Sequence, residues 1–136
     1  MSDTSARPAS EQVVVRAERR QFLKRRWRGV AEDGTEFGFD LEARLPDGAV
    51  IFRSASHDYI VCQDPETVYV VPFLSTESAA LIGWRIGNLH LPVEVTGGAL
   101  RVLHDPAVRQ LCDREGWPYA EETVLFKPLR VVAHAS

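Results

Sequence analysis

The sequence predicts an α+β chain of two modules, and three observations predict it. The first half is rich in short strand-like runs separated by turn residues. After about Pro72 the apolar period lengthens from two toward three and four. From there two helical segments alternate with short strands. A chain of 136 residues makes one ordinary domain or two small ones, and 45% apolar residues mark a globular composition. The expected divisions are a disordered tail at 1–10, a small all-β module at 11–72, and a mixed module at 73–136.

In chain order, VVVRAE is β-branched and reads as a strand. KRRWRGVAEDGTEFGFDLE places Asp33-Gly34 at a hairpin turn; beyond it Phe37, Phe39 and Leu41 alternate with Glu36, Gly38 and Asp40, giving one apolar face. Leu45-Pro46-Asp47-Gly48 is a second turn, and AVIFR, DYIVCQ and TVYVV follow as short strands.

In STESAALIGWRIGN the residues Ala79, Ile82 and Ile86 recur at helical spacing, with Ala80 and Trp84 beside them. Ser75 suits the N-cap, and Gly87-Asn88 suits the end, where positive φ is common. LPVEV and ALRVL flank Gly97-Gly98, an expected tight hairpin. A second helix runs from Pro106 to about Glu115, with Ala107, Val108, Leu111 and Cys112 on one side. Gly116 ends it and Pro118 bars continuation. A last strand lies within YAEETVLFKPL. With TVYVV or VPFL as the opening strand, the order spells βαββαβ, the ferredoxin-like arrangement. Many functions share that arrangement, so it decides none of them.

The net charge of −3 hides an uneven distribution. Arg16, Arg19, Arg20, Lys24, Arg25, Arg26 and Arg28 lie close together against the single acid Glu18. Such a run is read as the solvated face of a twisted strand, with phosphates or an acidic protein partner as the functional alternatives. No RNP-like or zinc-finger pattern accompanies it, so nucleic acid is not the expected partner. No window approaches the roughly 18 apolar residues of a membrane span, and MSDTSARPASEQ lacks the apolar core of a signal peptide. Cys62 and Cys112, far apart in sequence, suggest no disulfide framework; a reduced, cytoplasmic protein is expected. There is no Walker-type loop, CxxC pair, HExxH or G-x-S-x-G elbow. Glu121-Glu122 reads as a solvated pair, and no enzyme is expected. Trp27, Trp84 and Trp117 read as core or interface anchors.

Several segments, in order, resemble the UreE-type urease accessory proteins. RRWRGVAEDGTEFGFDLEARLPDGAVIF is similar to that family's basic run, D-G-T/R-E turn and L-P-x-G turn. WRIGNLHLPVEV resembles its H-L-G-N-R-H-x-P, LRVLHDPAVRQL its L-R-x-x-x-D-H-x-L-x-x-x-L, and TVLFKPL its A-P-F-x-P. The likeness covers about residues 12–129. It implies a β module related to a chaperone peptide-binding fold and a ferredoxin-like module that binds metal and forms a homodimer. It further implies a protein that collects Ni²⁺ and passes it, with a partner GTPase, toward apo-urease.

In the family pattern the residue after the Asp is the principal metal-binding His, one from each protomer meeting near the two-fold axis. Here that residue is Pro106, which offers no ligand atom. The family also commonly has His where Arg85 stands and Arg where Leu89 stands. Asp105 is a natural N-cap, and the next position has an N–H with no intrahelical partner, so proline suits it. The helix start survives and the ligand does not. His104 lies two residues earlier; two residues of strand span about 6.5 Å, against a metal–imidazole bond of about 2.0–2.1 Å. His104 therefore does not fill the lost position. It is either a ligand of a displaced site formed by two copies across a two-fold axis or a surface or interface histidine. Imidazole suits nickel, zinc and copper alike. His90, in the G-N-x-H stretch, is an alternative ligand or a structural residue of the helix–strand turn, and His134 near the C-terminus is an auxiliary ligand candidate. His57 reads as an exposed loop residue, and both cysteines read as core thiols. A second functional reading is an interaction scaffold of the urease maturation complex that has lost strong metal binding.

Overall fold

The structure, a computed structural model, describes residues 8–129, except the side chain of Ala9. Most of the expected 1–10 tail, and His134, lie outside the described residues. The chain divides into two compact units, Met1–Asp64 and Pro65–Ser136, giving a mixed α+β architecture with separate N- and C-terminal modules.

In the first unit, a 3₁₀ turn at Ala9–Glu11 leads into β1 (Gln12–Ala17), and α1 (Arg19–Phe22) separates it from β2 (Arg26–Val30). β3 (Glu36–Asp40), β4 (Val50–Arg53) and β5 (Asp58–Gln63) follow. β2 and β3 form the antiparallel hairpin expected around Asp33-Gly34, where Asp33 Oδ1 accepts from Thr35 N at 2.9 Å. β1, β5 and β4 form a second sheet in that order, with β1 parallel to β5 and β4 antiparallel to it. The core gathers Val15, Ala17, Phe22, Trp27, Ala31 and Val61. Gly29 sits where a Cβ would meet Val15 Cγ1 at 2.9 Å and Trp27 Cζ3 at 3.0 Å, so only glycine lets these elements approach so closely.

Two expectations need correction in this unit. It is not wholly β, because α1 adds one helical turn, opened by the Glu18 amide donating to Gln21 Oε1 at 2.8 Å. A single turn is too short to show a helical period, and Glu18 is not among the favoured N-cap types. The basic run is consequently not one strand face. Arg19 and Arg20 belong to α1, whereas Arg26 and Arg28 belong to β2. Some of its charge is met locally, Arg16 by Glu32 and Asp64 and Arg26 by Asp40.

The second unit runs β6 (Glu66–Pro72), α2 (Thr76–Gly87), β7 (Val93–Val95), β8 (Ala99–Leu103), α3 (Pro106–Glu115) and β9 (Ala120–Val124). Its four strands form one sheet in the order β7-β8-β6-β9, every neighbouring pair antiparallel. Tyr69, Val71, Leu100 and Val102 from the strands pack with Ile82 and Ile86 of α2 and with Val108, Leu111 and Cys112 of α3. Fully burying an aliphatic side chain of this kind stabilises by about 1.5–3 kcal/mol, so this shared core holds both helices to one sheet face. Ser75 caps α2 by accepting from Ser78 N at 3.0 Å. The expected positive φ does not fall on Gly87-Asn88; Asn88 has φ −70°, and the reversal comes at His90, φ 57°. Leu89 N and His90 N bond back to Ile86 O and Gly87 O, so the chain tightens for two more residues before it turns. Gly116 closes α3 at φ 73°. No helix among the described residues is long and apolar enough to cross a membrane.

Candidate metal centre

The start of α3 is built as its sequence requires. Asp105 is the N-cap in an extended conformation, its Oδ1 accepting from Ala107 N at 2.8 Å, and its carbonyl accepts from Val108 N at 3.0 Å. Pro106 opens the helix, where no N–H is needed. Its ring offers no lone pair to a metal, so the position where the resemblance led one to expect a metal-binding histidine carries no side-chain ligand.

His104, one residue beyond β8, is held in place by the sheet. Strand β6 pairs Tyr69 with Val102 on one side and with Glu121 of β9 on the other. Side chains repeat with period two, so His104 shares the face of Val102, and His104, Tyr69 and Glu121 converge. The imidazole stacks on the Tyr69 ring at a centroid distance of 4.4 Å and an interplanar angle of 15°. Its Nε2 lies 2.9 Å from Glu121 Oε1. Tyr119 meets Tyr69 edge-on at 5.6 Å. Desolvation, then a hydrogen bond with Asp113, pushes the Tyr119 hydroxyl above the usual phenol range. The His104 side chain keeps 42% of its surface exposed, so it is both oriented and reachable.

Glu121, expected as part of a solvated acidic pair, is instead engaged with His104. Neither Glu121 nor Tyr69 was marked by the sequence, because their meeting depends on register between strands more than 50 residues apart. Tyr119, just before β9, and Glu121 within it are two residues apart and share a face, but that spacing does not name the neighbour.

The other candidates are not brought to this place. His90 is exposed in the turn before β7, whereas His104 leans the other way, toward β6 and β9. His134 lies outside the described residues. His57 is half-buried, its Nδ1 2.7 Å from Ser56 Oγ. Cys112 is fully buried, and desolvation followed by the charge of Asp113 pushes its thiol up. Cys62 is only half-buried, short of the core position expected for it, and its thiol is pushed up by desolvation and then by Asp47. Among the described residues, no three or more His, Cys, Asp or Glu side chains gather at one point. Among the described residues, one chain therefore brings together at this junction a histidine and the carboxylate that faces its Nε2. An imidazole nitrogen is a donor of the kind divalent first-row metals accept.

Trp27 is buried and Trp117 packs on the second core, as expected of anchors. Trp84 is not core: it is 64% exposed on α2, three residues from Leu81, itself 47% exposed. Residues three apart on a helix are neighbours, so the two form an apolar patch.

The sequence of residues 66–136 matches the family model described as UreE urease accessory protein, C-terminal domain. Among curated relatives, the urease accessory protein UreE of Beijerinckia indica subsp. indica is 32% identical over 134 residues, covering 89% of this chain and 70% of the relative. That of Teredinibacter turnerae is 30% identical over 129 residues, covering 93% and 82%. That of Streptococcus vestibularis is 29% identical over 105 residues, covering 75% and 70%.

Proposed function

This chain belongs to the family of UreE urease accessory proteins, and from that premise we propose that it binds Ni²⁺ as a homodimer and delivers it for assembly of the urease active site, through a metal site displaced from the family position. It is an accessory protein and not an enzyme. Its partners on this reading are a second copy of itself, the urease accessory GTPase and the apo-urease complex, in the cytoplasm. The second unit is read as the ferredoxin-like module of the family, supported by the element order β–α–β–β–α–β and the strand order β7-β8-β6-β9. The exposed Leu81 and Trp84 support self-association through that unit.

The observation that carries the reading is the His104 imidazole, oriented and exposed beside a helix start whose next residue has no ligand atom. With Pro106 unable to coordinate, His104 is the proposed ligand, joined by its symmetry mate and by His134, with His90 an outer candidate. Zinc or copper would be accepted by the same donors. The test is a nickel titration of the wild-type protein and of His104→Ala: the account expects about one ion per two chains and a clear loss of affinity in the variant. Full-strength binding by His104→Ala removes His104 from the site.

One observation favours a second reading, an interaction scaffold that has lost strong metal binding: the junction offers only two donors per chain among the described residues. Equilibrium dialysis showing no bound metal, together with retained capture of the GTPase or urease, would select it.

A further inference from the structure

We infer that Glu121 is the positioning residue of His104: it accepts a hydrogen bond from Nε2–H, fixes the ring's tautomer and leaves Nδ1 as the nitrogen that meets the metal. The inference rests on the proposed role of His104 as a ligand and deepens it.

The geometry restricts the choice of nitrogen. Glu121 Oε1 lies 2.9 Å from Nε2, along the direction in which that nitrogen donates or coordinates. A metal placed on the same line at the usual imidazole bond of about 2.0–2.1 Å would fall inside the contact sphere of the carboxylate oxygen. While the pair is made, Nε2 is not open to an ion. An ionised carboxylate only accepts hydrogen bonds, so a neutral imidazole bonded to it carries its proton on Nε2 and its lone pair on Nδ1. No described residue hydrogen-bonds Nδ1. A ligating histidine commonly gives its other ring N–H to a carboxylate, which sets ring orientation and raises donor strength. His104 and Glu121 have that arrangement before any metal arrives.

Tyr69 supplies the second constraint. Its ring covers one face of the imidazole at 4.4 Å and 15°, so a ring flip, which would set Cε1 where Nε2 stands, has to pass through loss of the stack and ends without the hydrogen bond to Glu121. Tyr69 is in turn fixed by burial in the core and by Tyr119 on its edge. Glu121 stands directly opposite Tyr69 in the β6–β9 register, so the strand pairing itself sets where the carboxylate lies. The ring is thus oriented from one face and one edge, which leaves the Nδ1 edge as the coordinating side.

The test uses the full-length protein and Ni²⁺ alone as probe, with His104→Ala, Glu121→Ala and Glu121→Gln. Glu121 is 56% exposed, so its variants are expected to fold, which thermal melts are to check. Nitrogen NMR of the metal-free protein is expected to find the proton of the neutral His104 ring on Nε2 in the wild type. Gln keeps an acceptor oxygen, so Glu121→Gln preserves that tautomer, and Glu121→Ala gives a mixture. Calorimetry is expected to show nickel affinity falling about 10–100-fold in Glu121→Ala, with Glu121→Gln recovering most of it. A proton on Nδ1 in the wild type, or nickel bound by Glu121→Ala as tightly as by the wild type or more tightly, overturns the inference. If His104→Ala loses nickel while Glu121→Ala does not, the ligand stands and the positioning role falls. If His104→Ala binds as the wild type does, both fall together.

Discussion

Restoring histidine at position 106 separates the two roles assigned to the start of α3. The helix is nucleated by Asp105, whose Oδ1 accepts from Ala107 N at 2.8 Å and whose carbonyl accepts from Val108 N at 3.0 Å. Neither bond involves residue 106, and that residue is exposed. The N–H that Pro106→His introduces falls at a helix position with no intrahelical acceptor, where water satisfies it. The expected cost is thus only the freedom the unfolded chain regains when proline is removed, about 0.4–1 kcal/mol. At about 4–8 °C per kcal/mol for a unit of this size, the melting temperature should fall by no more than about 8 °C. By contrast Asp105→Ala removes the cap and should cost about 1 kcal/mol, within a range of roughly 0.5–2. Urea denaturation followed by circular dichroism measures both. Pro106→His should also raise nickel affinity at least about tenfold, or 1.4 kcal/mol, because each chain then carries an imidazole at the start of α3, where the resemblance implies the metal ligand. A loss above about 3 kcal/mol would place Pro106 in a structural role that Asp105 does not explain. An intact fold with no gain in nickel affinity would refute the argument that the missing imidazole is what displaces the site.

Further predictions follow from single contacts elsewhere. The Asp33 carboxyl is held below its usual range by the Tyr59 hydroxyl and then by the Thr35 backbone N–H. The unfolded chain therefore binds this proton first as pH falls, and Asp33 stabilises the fold fully only above its unfolded pKa of about 3.9. Melting temperatures of Asp33→Asn across pH should show a wild-type advantage at neutral pH that disappears as pH drops through the lowered native value; an advantage that grows in acid contradicts it. Gly29→Ala forces a methyl to within 2.9 Å of Val15 Cγ1 and should destabilise by about 1–3 kcal/mol in urea denaturation; an unchanged midpoint refutes the close approach. Trp84→Ser should leave the stability of the unit within about 0.5 kcal/mol, as for other exposed positions. It should also weaken self-association in sedimentation, and an unchanged dimer removes the α2 patch from the interface.

What the sequence made legible was local. Helix α3 runs over Pro106–Glu115 with Asp105 and Gly116 as its caps, as its residues foretold, because caps and a 3.6-residue period are written in adjacent positions. The hairpins around Asp33-Gly34 and Gly97-Gly98 were legible for the same reason. The parallel pairing of β1 with β5 was not, since it joins Gln12 to Asp58 across some 46 residues and no turn residue signals it. Helix α1 escaped because four residues cannot show a period. Whether Trp84 anchors a core or an interface stayed open because it sits beside the Ile82 and Ile86 stripe rather than on it, and periodicity resolves a stripe's edge poorly. The site divides in the same manner. His104, Asp105 and Pro106 were adjacent in sequence and read together. Tyr69 and Glu121 complete the arrangement only through strand register, which no local motif encodes.

The most direct measurement is to locate the ion. Anomalous scattering from crystals of the full-length protein loaded with nickel would report which side chains lie at bonding distance. Nickel is expected at the α3 junction, bound by the His104 imidazole of two chains, with Glu121 on the far ring nitrogen of each. An ion held only by groups remote from that junction, or a protein that carries nickel as a strict monomer, would contradict it.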